Sequence, residues 1–160
     1  MIAEIKYDFR NFNFEFSNFM LKITTRGQYA LLIMADLAES ASEKYIPLKI
    51  LSHRLNLSVK YLEQILIKLS KAGLVEGLRG NNGGYKLTRT TDKYTVGEIM
   101  RVMEGDFSTR TVTNSAALKH IGNEKFWDDF DKVINDFVDS VTLEEIAKQN
   151  RDFPGFNYCI

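Results

Sequence analysis

Residues 58–88 read SVKYLEQILIKLSKAGLVEGLRGNNGGYKLT, and the fold turns on this stretch. Apolar residues at Leu62, Ile65, Leu66 and Leu69 recur at helical spacing, while Lys60, Glu63, Gln64, Lys68 and Lys71 occupy the other face. Ser58 suits an N-cap, and Gly73 tolerates the left-handed backbone that ends a helix. Two strand-like runs follow, Leu74–Leu78 and Tyr85–Thr88, joined by Arg79-Gly80-Asn81-Asn82-Gly83-Gly84. That loop is rich in residues able to adopt positive φ, as a tight hairpin tip requires. A polar-faced helix followed by a basic hairpin is what a winged-helix reader would present to a DNA duplex.

Working backward, Leu48, Leu51 and Leu55 give a short helix an inner face, with Pro47 at its start. Asn56-Leu57-Ser58 then forms the turn of a helix-turn-helix, although an ordinary helical hairpin has the same spacing. Upstream of this, Thr24 or Thr25 can cap a helix carrying Tyr29, Leu32, Ile33 and Leu37. Lys22, Arg26 and Gln28 gather near the start of that helix, where amide donors favour a phosphate. Residues 1–19 hold five of the eleven phenylalanines, and Phe12, Phe14 and Phe16 alternate as in a strand. This segment is either an edge strand or an upstream extension with Met20 as the natural start.

Working forward, Thr95-Val96-Gly97-Glu98 reads as a capping box that opens a helix ending at Gly105. Residues 106–122 are expected to be mainly loop. An amphipathic helix is predicted from about 125 to 141, with Phe126, Phe130, Val133, Ile134, Phe137, Val138 and Val141 as its apolar stripe. A second copy of the helix could bury this stripe in a two-fold homodimer, or the stripe could pack on its own domain. Thr142-Leu143-Glu144-Glu145 opens a last short helix, and 150–160 form an aromatic tail. The expected organisation is a winged helix-turn-helix over 20–91, an effector and dimerisation region over 92–149, and a tail. The fold class is mainly α with a small β-hairpin wing.

The formal net charge is zero, but it is unevenly distributed. Residues 20–91 carry eleven Lys/Arg against five Asp/Glu, whereas 92–160 carry eight against thirteen. A basic block beside an acidic one suggests a polyanion-binding half. No run approaches the ~18 apolar residues of a membrane span. The N-terminus lacks the order of a signal peptide, so a cytoplasmic location is expected. The single cysteine, Cys159, excludes an intrachain disulfide and a cysteine-rich metal site. An enzyme is disfavoured: Gly80–Gly84 lacks the Lys-Ser/Thr of a phosphate-binding loop, and no nucleophile–base set is visible.

Several motifs occur in an order that resembles a known family. They are Thr24-Thr25-Arg26-Gly27-Gln28-Tyr29-Ala30, Leu57-Ser58 with Tyr61-Leu62-Glu63-Gln64, and Ala72-Gly73-Leu74-Val75. Arg79-Gly80 with Gly83-Gly84-Tyr85, Val96-Gly97-Glu98-Ile99, and Glu104-Gly105 complete the series. Together, over residues 20 to about 148, they resemble the bacterial dimeric winged-helix repressors typified by the iron–sulfur cluster regulator and the nitric-oxide-sensitive repressor. The resemblance is greatest to their cluster-free branch, represented by the cysteine-metabolism repressor CymR.

The resemblance implies a homodimeric repressor of double-stranded DNA on a pseudo-palindromic operator. It assigns base contacts to Lys60, Glu63, Gln64 and Arg79. A carboxylate accepts from cytosine N4, an amide pairs bidentately with adenine, and an arginine suits a narrow minor groove. Thr25, Arg26, Tyr61 and Lys68, with Asn81, Asn82, Gly83 and Tyr85 of the wing, are implied backbone contacts. Phe126, Phe130, Val133, Ile134, Phe137 and Val141 are the implied dimer interface. Cluster-binding members carry three cysteines where this chain, from Asp106 to Gly122, has none. No iron–sulfur cluster, other cofactor or metal is therefore expected. His120 reads as an ordinary polar residue rather than a ligand, and His53 as structural or phosphate-facing.

The cluster-free branch is linked to O-acetylserine sulfhydrylase as a partner and has an aromatic-Ile tail. Here the tail ends Tyr158-Cys159-Ile160, and it either docks in that enzyme's cleft or packs on its own dimer. A second class of function stays open: a protein-interaction module whose winged helix and tail bind a metabolic enzyme, with little specific DNA binding.

Overall fold

The helix-turn-helix is made by one left-handed residue. Asn56, at φ 50°, ends α2 (Leu48–Leu55) and redirects the chain into α3 (Val59–Lys71). The Ser52 hydroxyl donates to the Leu57 carbonyl at 2.6 Å and braces the turn. The Ser58 hydroxyl accepts from the Tyr61 amide, as the predicted N-cap would. The computed structural model describes residues 23–40, 44–80, 83–108 and 124–152. Besides α2 and α3, the elements are α1 (Thr25–Glu39), β1 (Val75–Leu78), β2 (Gly84–Leu87), α4 (Val96–Glu104), α5 (Glu124–Ser140) and α6 (Leu143–Asp152). A short 3-10 turn spans Thr91–Lys93. The expectations placed on 1–22, Asn81, Asn82, His120 and the tail Tyr158, Cys159, Ile160 lie outside the described residues.

Leu62, Ile65, Leu66 and Leu69 form the buried face of α3, matching the periodicity read from the sequence. After it, Gly73 at φ 74° lets the chain turn into the hairpin. β1 and β2 are antiparallel, with Val75 opposite Leu87 and Leu78 opposite Gly84. A third segment completes the wing: Ile46 bridges Tyr85 through two backbone hydrogen bonds of 2.9 Å. That approach explains Gly84, where a Cβ would lie 2.2 Å from the Ile46 carbonyl oxygen.

One hydrophobic core continues across residue 91. Ala30, Ile33, Met34, Leu37 and Ala38 of α1 are buried with Ile99 of α4 and Leu143 and Ala147 of α6. Backbone bonds from Val96 to Val141 (2.9 Å) and from Leu143 to Tyr94 (3.0 Å) tie the starts of α4 and α6 together. α4 and α6, from the region read as effector and dimerisation region, thus share their packing with the helix-turn-helix. Thr95 caps α4 by accepting from the Glu98 amide at 3.1 Å, while the Glu98 carboxylate takes Arg89 at 2.7 Å. Thr142 and Glu145 form the reciprocal capping box at the head of α6.

α5 matches the predicted long helix, but its apolar stripe divides. Val138 is buried with Val96, Met100 and Phe107, and Ile134 and Val141 pack half-buried beside them. Of the six expected interface residues, Ile134 and Val141 are thus engaged largely within their own chain. Phe126 and Val133, each 58% exposed, and Phe137, 47% exposed, face outward. Arg101 fastens α5 to α4 by a two-pronged pair with Asp139 (2.6 and 2.9 Å) and a bond to Asn135 (2.6 Å). The Arg101 guanidinium holds the Asp139 carboxyl below its ordinary range.

Tyr94, fully buried, ties the wing base to this core. Its hydroxyl donates to the Leu74 carbonyl (3.0 Å) and accepts from the Thr88 (2.9 Å) and Arg89 (2.7 Å) amides. Removing that oxygen leaves a buried carbonyl without this donor, which costs about 1–3 kcal/mol. Tyr94→Phe should therefore lower unfolding stability by about 2 kcal/mol, as measured by urea denaturation with an unchanged m-value.

Candidate nucleic-acid interface

With Leu62, Ile65, Leu66 and Leu69 turned inward, α3 presents Lys60, Glu63, Gln64, Ile67, Lys68 and Lys71 to solvent. Two shallow depressions flank it. One, of about 350 Å³, is bordered by Arg26 from the start of α1 and by Gln64, Lys68 and Lys71. The other, of about 670 Å³, lies between α3 and the wing and is bordered by Lys49, Lys71 and Arg79. Residues distant in sequence are thus gathered around one helix: Arg26, Gln64 and Lys68 on one side, Arg79 on the other. Cations arranged in this way favour phosphates regardless of sequence, and Lys60, Glu63 and Gln64 stand exposed on the same helix.

The wing is electrostatically coupled to the helix through Tyr85. Burial pushes its hydroxyl pKa up, Glu63 of α3 pushes it further, and Arg79 of the wing opposes both. Glu63, Arg79 and Tyr85 therefore form one neighbourhood, although 22 positions separate Glu63 from Tyr85. Gly83 sits tightly folded: a Cβ there would lie 2.3 Å from the Leu78 carbonyl oxygen. Tyr61, expected to orient the helix or touch a DNA phosphate, is half-buried, its ring packed edge-on against Tyr29 at 5.7 Å. That contact anchors α3 to α1.

At the head of α1, Thr24 is the cap, leaving Thr25 exposed as the first helical residue. The Thr24 amide (3.1 Å) and hydroxyl (2.6 Å) both donate to Glu104 Oε1, at the end of α4. The hydroxyl in turn accepts from the Gly27 amide at 3.5 Å. α1 has no acidic residue in its first turn, so Glu104 supplies the negative charge that a helix N-terminus favours. Gly27 packs against the same side chain, and a Cβ there, 2.3 Å from Glu104 Oε1, would push the carboxylate from its place. The Thr24 donors are therefore taken by Glu104, and the Gln28 amide donates to the Thr24 carbonyl at 3.2 Å.

Sequence reasoning assigned no role to three contributors, although it placed Lys71 on the polar helix face and Glu104 in a family motif. Lys71 borders both depressions, and its spacing one helical turn beyond Lys68 was the available signal. Lys49 and Glu104 carried no such signal, because their roles come from contacts with distant elements.

The chain matches the family described as Rrf2, iron-dependent transcriptional regulators, over residues 23–149. It belongs to that family. It is similar to the HTH-type transcriptional regulator CymR of Bacillus subtilis strain 168, at 38% identity over 127 residues, covering 79% of this chain and 90% of that protein. It is also similar to IscR of Vibrio campbellii, at 32% identity over 143 residues, covering 81% of this chain and 79% of that protein. Among solved structures, that of CymR, the global cysteine regulator of B. subtilis, aligns with a TM-score of 0.69 at 39% identity. The alignment covers 81% of this chain and 98% of that one. T. potens IscR aligns with a TM-score of 0.65 at 35% identity, covering 88% and 98%. As a member of the Rrf2 family the chain is a winged-helix transcriptional regulator.

Iron fits these residues poorly. The only cysteine is Cys159, and between Asp106 and Gly122 the sequence holds no thiolate for a cluster. Among the described residues, no three His, Cys, Asp or Glu side chains converge as metal ligands would. Nor, among them, is any helix long and apolar enough to cross a membrane.

If Glu104 anchors the head of α1, Glu104→Ala should cost about 1 kcal/mol of stability, the usual scale of a lost N-cap. It should also weaken binding to all duplexes about equally, as measured by fluorescence anisotropy, because Thr25 and Arg26 lose their fixed position while α3 is untouched.

Proposed function

We propose that this chain is a homodimeric, sequence-specific DNA-binding repressor that reads a pseudo-palindromic operator. The observation that carries this reading is the polar face of α3 set between two cation-bordered depressions, with the wing alongside. Lys60, Glu63 and Gln64 read bases in the major groove, and Arg79 enters the adjacent minor groove. Thr25, Arg26 and Lys68 hold phosphates, joined by Lys49 and Lys71. Asn81, Asn82, Gly83 and Tyr85 bring the wing onto the backbone. Tyr61 acts through its packing on Tyr29, which fixes the angle of α3.

Two half-sites require two reading heads, and the outer face of α5 supports how they are joined. Phe126 and Val133 are more than half exposed on one side of a helix whose other side is stapled to its own domain. Apolar surface of that kind is favourable to bury against a second copy. The likeness to CymR supports operators near genes of cysteine or sulfur metabolism. With no cysteine from Asp106 to Gly122, the regulatory signal enters by a route other than an iron–sulfur cluster.

A mobility-shift assay on the protein's own promoter region, repeated across salt concentrations, tests the reading. Gln64→Ala should lose about 1–3 kcal/mol of discrimination while keeping weak nonspecific binding. Lys68→Ala should weaken binding to every sequence alike and reduce the salt slope by about one. If the wild-type protein prefers no natural promoter, the interaction-module reading replaces this one. For the dimer, Phe126→Glu with Val133→Glu should sediment as a folded monomer, and an unchanged dimer mass would rule out the α5 interface.

A further inference from the structure

Among the described residues, the large apolar side chains left exposed fall in two groups. Phe126, Val133 and Phe137 stand on α5, whereas Ile50, Val59, Ile67 and Leu78 stand on the helix-turn-helix and the wing. Two of the second group lie on α3 itself. Val59, 41% exposed, is its first residue, and Ile67, 45% exposed, lies in its second half. A lone exposed apolar residue needs no explanation. These two are placed symmetrically about Glu63, four residues before it and four after, so Val59, Glu63 and Ile67 form one line along the helix surface. Ile67 also borders both depressions, beside Gln64 and Lys68 in one and beside Lys49, Leu78 and Arg79 in the other. At Ile67 the line therefore crosses the ground between the two cation-bordered surfaces.

A duplex offers such a line few favourable partners. A phosphate gains nothing from an aliphatic side chain and is repelled by a carboxylate. On the base edges of the major groove the apolar group is the thymine C5-methyl, and cytosine N4 is the donor that a carboxylate accepts from. An apolar, acidic, apolar series is thus complementary to a cytosine edge with thymine edges on both sides. Four residues of helix advance about 6 Å, while successive base pairs lie about 3.4 Å apart along the duplex. The two apolar side chains then fall one or two base pairs from the cytosine.

We propose that Val59 and Ile67 are specificity-determining residues that pack on thymine methyl groups, one on either side of the cytosine read by Glu63. This rests on α3 being the major-groove helix, as proposed above, and adds the base composition of the half-site to that reading. Glu63 alone accepts any neighbours of its cytosine. The flanking side chains favour thymine at two further positions, through contacts that carry no hydrogen bond.

The test starts from duplexes that the wild-type full chain selects from a random-sequence pool. The cytosine that Glu63 reads is the one whose preference is lost in Glu63→Gln. Thymines within two base pairs of it are replaced one at a time by deoxyuridine, which keeps every hydrogen-bonding group and lacks only the C5-methyl. At one position on each side, this should weaken binding roughly three- to fourfold per half-site, the worth of one buried methyl group. Val59→Ala should abolish the penalty on one side and Ile67→Ala on the other, with little change in melting temperature at these exposed positions. Equal affinity of the wild-type protein for thymine and uracil duplexes overturns the proposal, as does an enriched site without such a cytosine or without thymines that close to it. A penalty that persists in both folded variants overturns it as well. If no sequence is enriched, the base-reading function itself falls and takes this inference with it, whereas an enriched site indifferent to uracil removes this inference alone. The uracil duplexes leave the protein unaltered, so they decide by themselves should a variant not fold.

Discussion

Burial of α1 is the constraint on which the rest of the molecule depends. From Ala30 to Ala38 every residue is buried or half-buried, so other elements must cover the helix on nearly all sides. α2 and α3 cover it from the N-terminal half of the chain, and α4 and α6 from the C-terminal half. Alanines at 30, 35 and 38 let these neighbours approach closely. The single buried charge on α1, Asp36, is raised in pKa by its burial, with Arg54 of α2 opposing the shift from 3.2 Å. That pair fixes α2 against α1, and α2 in turn sets where α3 begins. Because α1 is shared, displacing α4 or α6 would also disturb the scaffold that carries α3.

The electrostatics of the reading face follow from this scaffold. Its cations come from four elements: Arg26 from α1, Lys49 from α2, Lys68 and Lys71 from α3, and Arg79 from the wing. Cations arranged around a helix in this way attract a polyanion without reading its sequence. Glu63 is the exception in sign. A carboxylate among cations is unfavourable toward phosphate, and so is informative where it faces a base edge.

A continuous set of contacts runs from the outer helix to the reading face. Asn135 of α5 donates to the Phe107 carbonyl at 2.8 Å, and Arg101 of α4 grips Asp139 of α5. Three residues beyond Arg101, Glu104 holds the head of α1 through Thr24. Arg26, at that head, borders the same depression as Gln64. Gly105, at φ 79°, then turns the chain away from α4 toward Phe107. The links as far as Thr24 are short polar contacts or a backbone turn, so α5, α4 and the head of α1 that carries Arg26 are mechanically joined.

What the amino-acid sequence determined by itself was local. The periodicity of Leu62, Ile65, Leu66 and Leu69, the caps at Ser58, Thr95 and Thr142, the stop at Gly73 and the Gly/Asn-rich hairpin were all legible. Each arises from interactions within a few residues, and the ordered motifs were enough to recognise the family. Only the tertiary structure decided which faces meet. The bond between Thr24 and Glu104 spans 80 positions, and the Ile46–Tyr85 bridge is a single backbone pair with no side-chain pattern to announce it. The stripe on α5 read as one surface because hydrophobicity has no direction beyond the helix face. Packing on α4 divided it, burying Val138 and leaving Phe126 and Val133 outside. Long-range contacts depend on the angle at which helices cross, and that angle is set by the whole core around α1 rather than by any one segment.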